Sequence, residues 1–116
     1  MKRTFMLEDD GGIREVVHFT LEAENYHLKS YPTITDFNER DKSIEPDLYL
    51  LDLMLPDGSG LDVCNQIKSN QKTPILMMSA HSTLKDLQEY CEANSFLQKP
   101  FDINELISQV NSLTEN

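Results

Sequence analysis

The chain has no tryptophan, two cysteines, four glycines and five prolines in 116 residues. So little glycine and proline excludes a fibrous, linker-like or low-complexity polypeptide. Cys64 and Cys91 lack CxxC spacing, and the expectation is two small packing residues in a reducing compartment rather than a disulfide framework or a zinc site. Basic residues are also scarce, 10 Lys and Arg against 20 Asp and Glu, for a net charge of −10. That surplus argues against non-specific binding to nucleic acid or to an anionic membrane, since both need positive surface. The aromatic residues are not interleaved with basic ones, so no base-stacking platform is expected. No apolar run approaches the ~18 residues that would span a bilayer. The opening Met1-Lys2-Arg3-Thr4 enters an apolar stretch at once, leaving no room for a secretory leader, and a cytoplasmic location is expected. What is left is one small acidic globular domain, long enough to bury a core without staples.

Short apolar runs alternate with longer amphipathic ones. Thr4–Leu7 reads as a first strand that ends abruptly in Glu8-Asp9-Asp10. Ile13, Val16, Val17 and Leu21 then recur at helical spacing, and Asn25 is suited to the left-handed conformation that closes a helix. His27–Tyr31 is a second strand stopped by Pro32. The segment from Thr33 to Glu45 carries apolar residues only at Ile34, Phe37 and Ile44, so a short or irregular helix is expected. Asp47–Leu51 is densely apolar, as in a strand buried on both faces, and runs into Asp52 and a turn-rich loop. A helix with Leu61, Cys64 and Ile67 inward follows, then a strand at Pro74–Ser79. Ser82 or Thr83 begins a helix with Leu84, Leu87 and Cys91, and Phe96-Leu97 is a short strand before Lys99-Pro100. Asp102 and Glu105 form a capping-box-like pair ahead of an inward stripe of Ile103, Leu106, Ile107, Val110 and Leu113. Five strand–helix units of this kind imply an α/β fold, a parallel sheet covered by helices on both faces. Ligands then bind at the carboxyl ends of the strands.

Those ends carry Glu8, Asp9 and Asp10 after the first strand, Asp52 after the third, Ser79 after the fourth and Lys99 after the fifth. Crowded carboxylates repel one another, and a divalent cation relieves the repulsion. Mg²⁺ suits them because it accepts one or two carboxylates while keeping waters and a phosphate oxygen. A carboxylate beside such a cation is also a nucleophile toward phosphorus. Lys99 and the Ser79 hydroxyl are placed to meet charge on phosphoryl oxygens.

Four pieces in order, Leu7-Glu8-Asp9-Asp10 with Ile13-Arg14, Pro46–Asp52 with Leu55-Pro56 and Gly60, Pro74-Ile75 with Ser79-Ala80, and Lys99-Pro100-Phe101, make the chain resemble the receiver domain of bacterial two-component response regulators. The resemblance spans essentially residues 1–116 and implies a three-layer, flavodoxin-like (βα)5 receiver fold with strand order 2-1-3-4-5. It implies that Asp52 is the phosphoacceptor, taking a phosphoryl group from a sensor histidine kinase or phosphotransfer protein. Glu8, Asp9, Asp52 and the backbone carbonyl of Met54 would hold Mg²⁺. Ser79 would be the switch hydroxyl, Phe96 the switch aromatic and Lys99 the phosphate-pairing lysine, with a cis Lys99–Pro100 peptide. Met54 and His81 take the positions that tune phosphoryl lifetime. Switching would act through a face built from the fourth helix, fifth strand and fifth helix, which also offers a possible homodimer contact. Such a domain is a signalling switch that catalyses only its own phosphorylation and dephosphorylation.

The family's usual Gly-Ala-Asp-Asp-Tyr before the last strand reads Glu92-Ala93-Asn94-Ser95-Phe96 here, so a glycine and a tyrosyl hydroxyl are missing. Other readings fit less well. A haloacid dehalogenase-type phosphohydrolase needs a second Asp two residues after its nucleophile, where this chain has Met54. A flavin binder of the flavodoxin type needs a Ser/Thr/Gly-rich phosphate loop after the first strand. A pseudo-receiver would have lost Lys99 or part of the acidic set. No output domain is expected within the chain, which is either a stand-alone receiver or a piece of a longer regulator.

Overall fold

The apolar runs become strands and the amphipathic runs helices, in a computed structural model that describes residues 1–80 and 91–115. The strands are β1 (Lys2–Leu7), β2 (Tyr26–Tyr31), β3 (Leu48–Asp52), the two-residue β4 (Met54–Leu55) and β5 (Gly58–Ser59), β6 (Ile75–Ser79) and β7 (Ser95–Gln98). The helices among the described residues are α1 (Gly11–Ala23), α2 (Ile34–Asn38), α3 (Gly60–Asn70) and the C-terminal α4 (Ile103–Thr114). The helix expected to start at Ser82 or Thr83 lies outside the described residues. No described helix is long and apolar enough to cross a membrane.

Five strands form one parallel sheet in the order β2-β1-β3-β6-β7. Numbered by strand–helix unit, this is the expected 2-1-3-4-5. Both faces are covered, as the unbroken apolar runs require. Phe5, Leu7, Tyr49, Leu51 and Met77 point to one side, where Phe37 of α2 and Val63, Cys64 and Ile67 of α3 pack on them. Met6, Leu48, Leu50, Leu76 and Met78 point to the other, against Val17 and Leu21 of α1 and Leu106 and Val110 of α4. The period-two alternation of a strand divides its side chains between the two cores.

Local chemistry sets the helix ends. Asp10 caps α1, its Oδ1 accepting from the Ile13 N–H at 3.0 Å. Asn25 closes the turn after α1 at φ 67°. Ser59 and Asp102 cap α3 and α4, accepting from the Leu61 and Asn104 N–H groups at 3.1 and 2.7 Å. The sparse second segment yields only the five residues of α2. Its anchor is Phe37, 1% exposed, set edge-on to Tyr31 and Tyr49 with centroids 5.4 and 6.0 Å away. The Arg40 guanidinium lies over the Phe37 ring, 3.8 Å from its centroid.

Three expectations about facing are corrected. Val16 and Ile103, placed on inward stripes by their spacing, are 45% and 43% exposed, because the sheet covers a narrower arc of each helix than the apolar stripe occupies. His18, which lies off the apolar stripe of α1 and on spacing alone would be exposed, is half-buried, with its ring nitrogens 3.0 Å from Glu22 Oε1 and 3.1 Å from Ser30 Oγ.

Gly60 is where the chain approaches itself most closely. A Cβ there would lie 1.9 Å from the backbone oxygen of Asp52, and the Gly60 N–H donates to the Leu53 carbonyl at 2.7 Å. Neither backbone oxygen is free to retreat, because β3 is locked between β1 and β6. Gly60→Ala is therefore expected to cost about 3 kcal/mol, at the upper end for overpacking, read as a lower urea midpoint at unchanged slope. A midpoint equal to wild type would show that the loop yields freely.

Candidate functional site

Strands β1 and β3 are neighbours, but the chain leaves them toward opposite faces of the sheet, α1 on one side and α3 on the other. The crevice at such a divergence is where open α/β sheets bind ligands. Glu8 and Asp9 follow the last residue of β1, and Asp52 is the last residue of β3. Each offers a carboxylate oxygen, and the three oxygens lie within 4.8 Å of one another.

The three acids are not equivalent. Asp9 is exposed, Asp52 is 6% exposed, and Glu8 is fully buried. Burial pushes the Glu8 carboxyl up to about 7, because the desolvation cost outweighs the stabilising bonds from Lys99 and the Asp10 N–H, and the Asp52 charge adds to the rise. Lys99 Nζ lies 2.5 Å from Glu8 Oε1 and 3.2 Å from Asp52 Oδ1, bridging both acids. Burial alone would depress the lysine, but its bond to Glu8 and the charges of Glu8 and Asp52 hold it above its ordinary value.

Each group is held by its element. Lys99 follows β7, its N–H bonded to the Ser79 carbonyl at 2.8 Å, and the Lys99–Pro100 peptide is cis as expected. Ser79 ends β6 at 2% exposure. Phe96, in β7, is turned into the core on the α3 side at 7% exposure. Met54 stands at the start of the small β4–β5 hairpin, 61% exposed, and lines a cavity of about 120 Å³ with Asp52, Leu53, Ser79, Ala80 and Lys99. The structure thus gathers Glu8, Asp9, Asp52, Met54, Ser79 and Lys99 at one edge. Phe96 lies inside, and His81 lies outside the described residues. A larger cavity, about 420 Å³ between α2, the loop after it and α3, is remote from these carboxylates and is lined by Arg40, Lys42 and amide side chains.

Two residues with supporting roles escaped the sequence reading. Arg14 donates from Nη1 to the carbonyls of Glu8 and Asp9, both at 2.9 Å, pinning the backbone of the acidic loop from the first turn of α1. The signal was its place one turn after the acids on a helix opening beside them. Asp57, at the tip of the β4–β5 hairpin, accepts from the Ile34 and Thr35 N–H groups at 2.9 Å and from Thr35 Oγ1 at 2.8 Å. These bonds hold its carboxyl below the usual range. No local pattern marked Asp57, because its partners lie more than twenty residues upstream.

Comparison with known proteins agrees with the geometry. The family model described as response regulator receiver domain matches residues 5–111, and the chain belongs to this family of signalling switches. Response regulator ArlR of Staphylococcus saprophyticus is 35% identical over 97% of the chain, which covers 52% of that protein. The chain thus spans about half the length of the curated relatives it matches. Among solved structures, the non-phosphorylated HemR receiver domain of Leptospira biflexa superposes with a TM-score of 0.89 at 28% identity, covering 100% of this chain and 96% of that one. The response regulator TrrA of Thermotoga maritima, solved in complex with Mg(2+)–BeF, gives 0.86 at 30% identity over 97% of this chain and 99% of that one.

The buried Glu8 has a consequence measurable without any ligand. Its carboxyl binds a proton more tightly in the folded chain than in the unfolded one, so folding takes up a proton between 4.5 and about 7. The stability contributed by this group therefore falls as pH rises through that window. In chelated buffer, Glu8→Gln is expected to gain on wild type by about 2 kcal/mol between roughly pH 5 and pH 8. Urea titrations at both pH values check this, and parallel stability curves for the two proteins would contradict it.

Proposed function

We propose that the chain accepts a phosphoryl group on Asp52 from the phosphohistidine of a sensor histidine kinase or phosphotransfer protein, in a Mg²⁺-dependent reaction, and thereby switches an output. The observation that carries this reading is the bridge of Lys99 Nζ across Glu8 and Asp52 beside the carboxylate trio. A lone surface acid has no such surroundings. The donors suit the metal, since three carboxylates whose oxygens lie within 4.8 Å of one another are the hard oxygen set that a small divalent cation prefers. The complex of the Thermotoga relative with Mg(2+)–BeF supports the same choice. Glu8, Asp9, Asp52 and the Met54 carbonyl would hold the ion. When bound, Mg²⁺ supplies the positive charge that offsets the acids and the oxygens of the incoming phosphoryl group.

Asp52 attacks phosphorus through its free carboxylate oxygen, and the donor imidazole leaves. Lys99, already charged and shared between two acids, pairs with a phosphoryl oxygen as the negative charge grows, and the Ser79 hydroxyl donates to another. Hydrolysis reverses the change when water reaches the acyl phosphate, so the domain catalyses its own loading and loss without a separate substrate. The new dianionic group biases a two-state element that includes Ser79 and Phe96. Its readout is the surface that contains β7 and α4, a surface that would also serve a homodimer. Residues 1–116 form the receiver alone, acting in the cytoplasm on an output segment or separate partner, without direct nucleic-acid or membrane contact.

Incubation with Mg²⁺ and acetyl phosphate followed by intact mass is expected to give one phosphoryl adduct in wild type and none in Asp52→Asn or with chelator. An unmodified wild type would remove the reading. Met54, exposed and apolar over the site, is assigned a shielding role with a moderately long-lived phospho-form. Met54→Asn replaces the shield with a water-orienting amide and is expected to shorten the half-life severalfold in a phosphate-release assay. An unchanged lifetime would remove Met54 from that role.

A further inference from the structure

Cys64 and Cys91 were expected to be two small packing residues. Their sulfurs lie 2.7 Å apart in the core, although 27 residues separate them in sequence. That is well inside the roughly 3.5–4.0 Å at which unbonded carbon atoms rest. Cys64 comes from the inward face of α3 and Cys91 from the segment leading to β7, and they share one cluster with Val63, Ile67, Met77 and Phe96. Neither takes part in the phosphoryl chemistry. We propose that Cys64 and Cys91 are a dithiol pair that a hydroperoxide converts into a reversible intramolecular disulfide fastening α3 to the entrance of β7.

The surroundings assign the order of events. The Cys91 sulfur accepts from the Ala93 N–H at 3.3 Å and faces the Cys64 thiol, and Lys68 adds positive charge nearby. The Cys64 thiol and the Ala93 N–H bring Cys91 down to about 7, against the cost of its burial. Cys64 moves up, through the shared proton and its own burial. Cys91 is also the less enclosed, 5% exposed against 0%. Since the thiolate is the nucleophile, Cys91 attacks the peroxide: its sulfur takes one oxygen, the O–O bond breaks, and hydroxide leaves. Cys64 then attacks the Cys91 sulfenic sulfur, the S–S bond forms, and water departs with the Cys64 proton. Two thiols lose two electrons in total, and the peroxide is reduced to two waters once the hydroxide is protonated.

The cross-link closes a loop that contains β6 and Ser79. It requires little rearrangement, because the sulfurs already face each other. A thiol-based reductant reopens it by exchange.

The 116-residue chain, reduced and then treated with hydrogen peroxide, is expected to lose the mass of two hydrogens as a monomer. Peptide mapping should join Cys64 to Cys91, and dithiothreitol should restore both thiols. In Cys64→Ser, dimedone should trap a sulfenic acid on Cys91, with at least about tenfold more label than Cys64 acquires in Cys91→Ser. Cys64→Ala serves if the serine variant misfolds, and the wild-type mapping requires no variant. The proposal fails if the two sulfurs advance separately to sulfinic acids, if only intermolecular disulfides form, or if both thiols survive peroxide that consumes free cysteine. Equal labelling of the two single variants overturns the assigned order.

Discussion

A carboxylate removed entirely from water has to find a cation or keep its proton. Glu8 is that carboxylate, fully buried at the end of β1, and much of the site is arranged around it. Lys99 reaches it from β7, two strands beyond β3, at 2.5 Å. The same ammonium touches Asp52 at 3.2 Å, so the charge that compensates Glu8 also prepares Asp52. Arg14 holds the carbonyls on either side of the Glu8–Asp9 peptide, leaving the acidic side chains to face the crevice. The compensation is incomplete, since burial still raises Glu8 toward neutrality. A site in this condition gains free energy from any further cation, which is the physical basis of metal affinity here.

The sheet gives this cluster its rigidity. Parallel neighbours bring the ends of β1, β3, β6 and β7 to a common edge, and the segments after β1 and β3 are tied down by Arg14 and Asp57. The close approach of Gly60 to the Asp52 carbonyl fixes where α3 begins. Asp57 then fastens the hairpin between β3 and α3 to the start of α2. This tie accounts for a helix that its own sequence supports weakly. Five residues with one buried aromatic form no autonomous helix, but a carboxylate on two N-terminal N–H groups and Phe37 wedged among Tyr31 and Tyr49 hold it in place.

Strand ends were legible in the sequence because each apolar run stops at a polar residue, as at Leu51-Asp52 and Met78-Ser79. The sheet order and the cis Lys99–Pro100 peptide came from family resemblance, since periodicity carries no information about strand order. Helix facing was legible only in part. Spacing identifies an apolar stripe, but not how wide an arc the sheet covers, and so Val16 and Ile103 remain at the surface. Contacts between distant segments left no local trace. Cys64 with Cys91 and Asp57 with Thr35 depend on which helices lie on the same face, a property of the assembled layers.

The missing tyrosyl hydroxyl at position 96 bears on how the proposed switch is balanced. An outward tyrosine exchanges some apolar burial for a hydrogen bond, whereas an outward phenylalanine forfeits burial and receives nothing. Full burial of such a ring is worth ~1.5–3 kcal/mol, comparable to the few kcal/mol that commonly separate two conformations of a switch. Phe96 is accordingly packed inside, 7% exposed. In the proposed switch the inward position of the ring is therefore the favoured one of the two. In the proposed reaction the free energy of a dianion on Asp52 would be expressed through Ser79 and Lys99, which are joined by the backbone bond from the Lys99 N–H to the Ser79 carbonyl. A movement of Ser79 in the proposed switch would thereby be carried along that bond to the end of β7, the strand that holds the buried Phe96 ring.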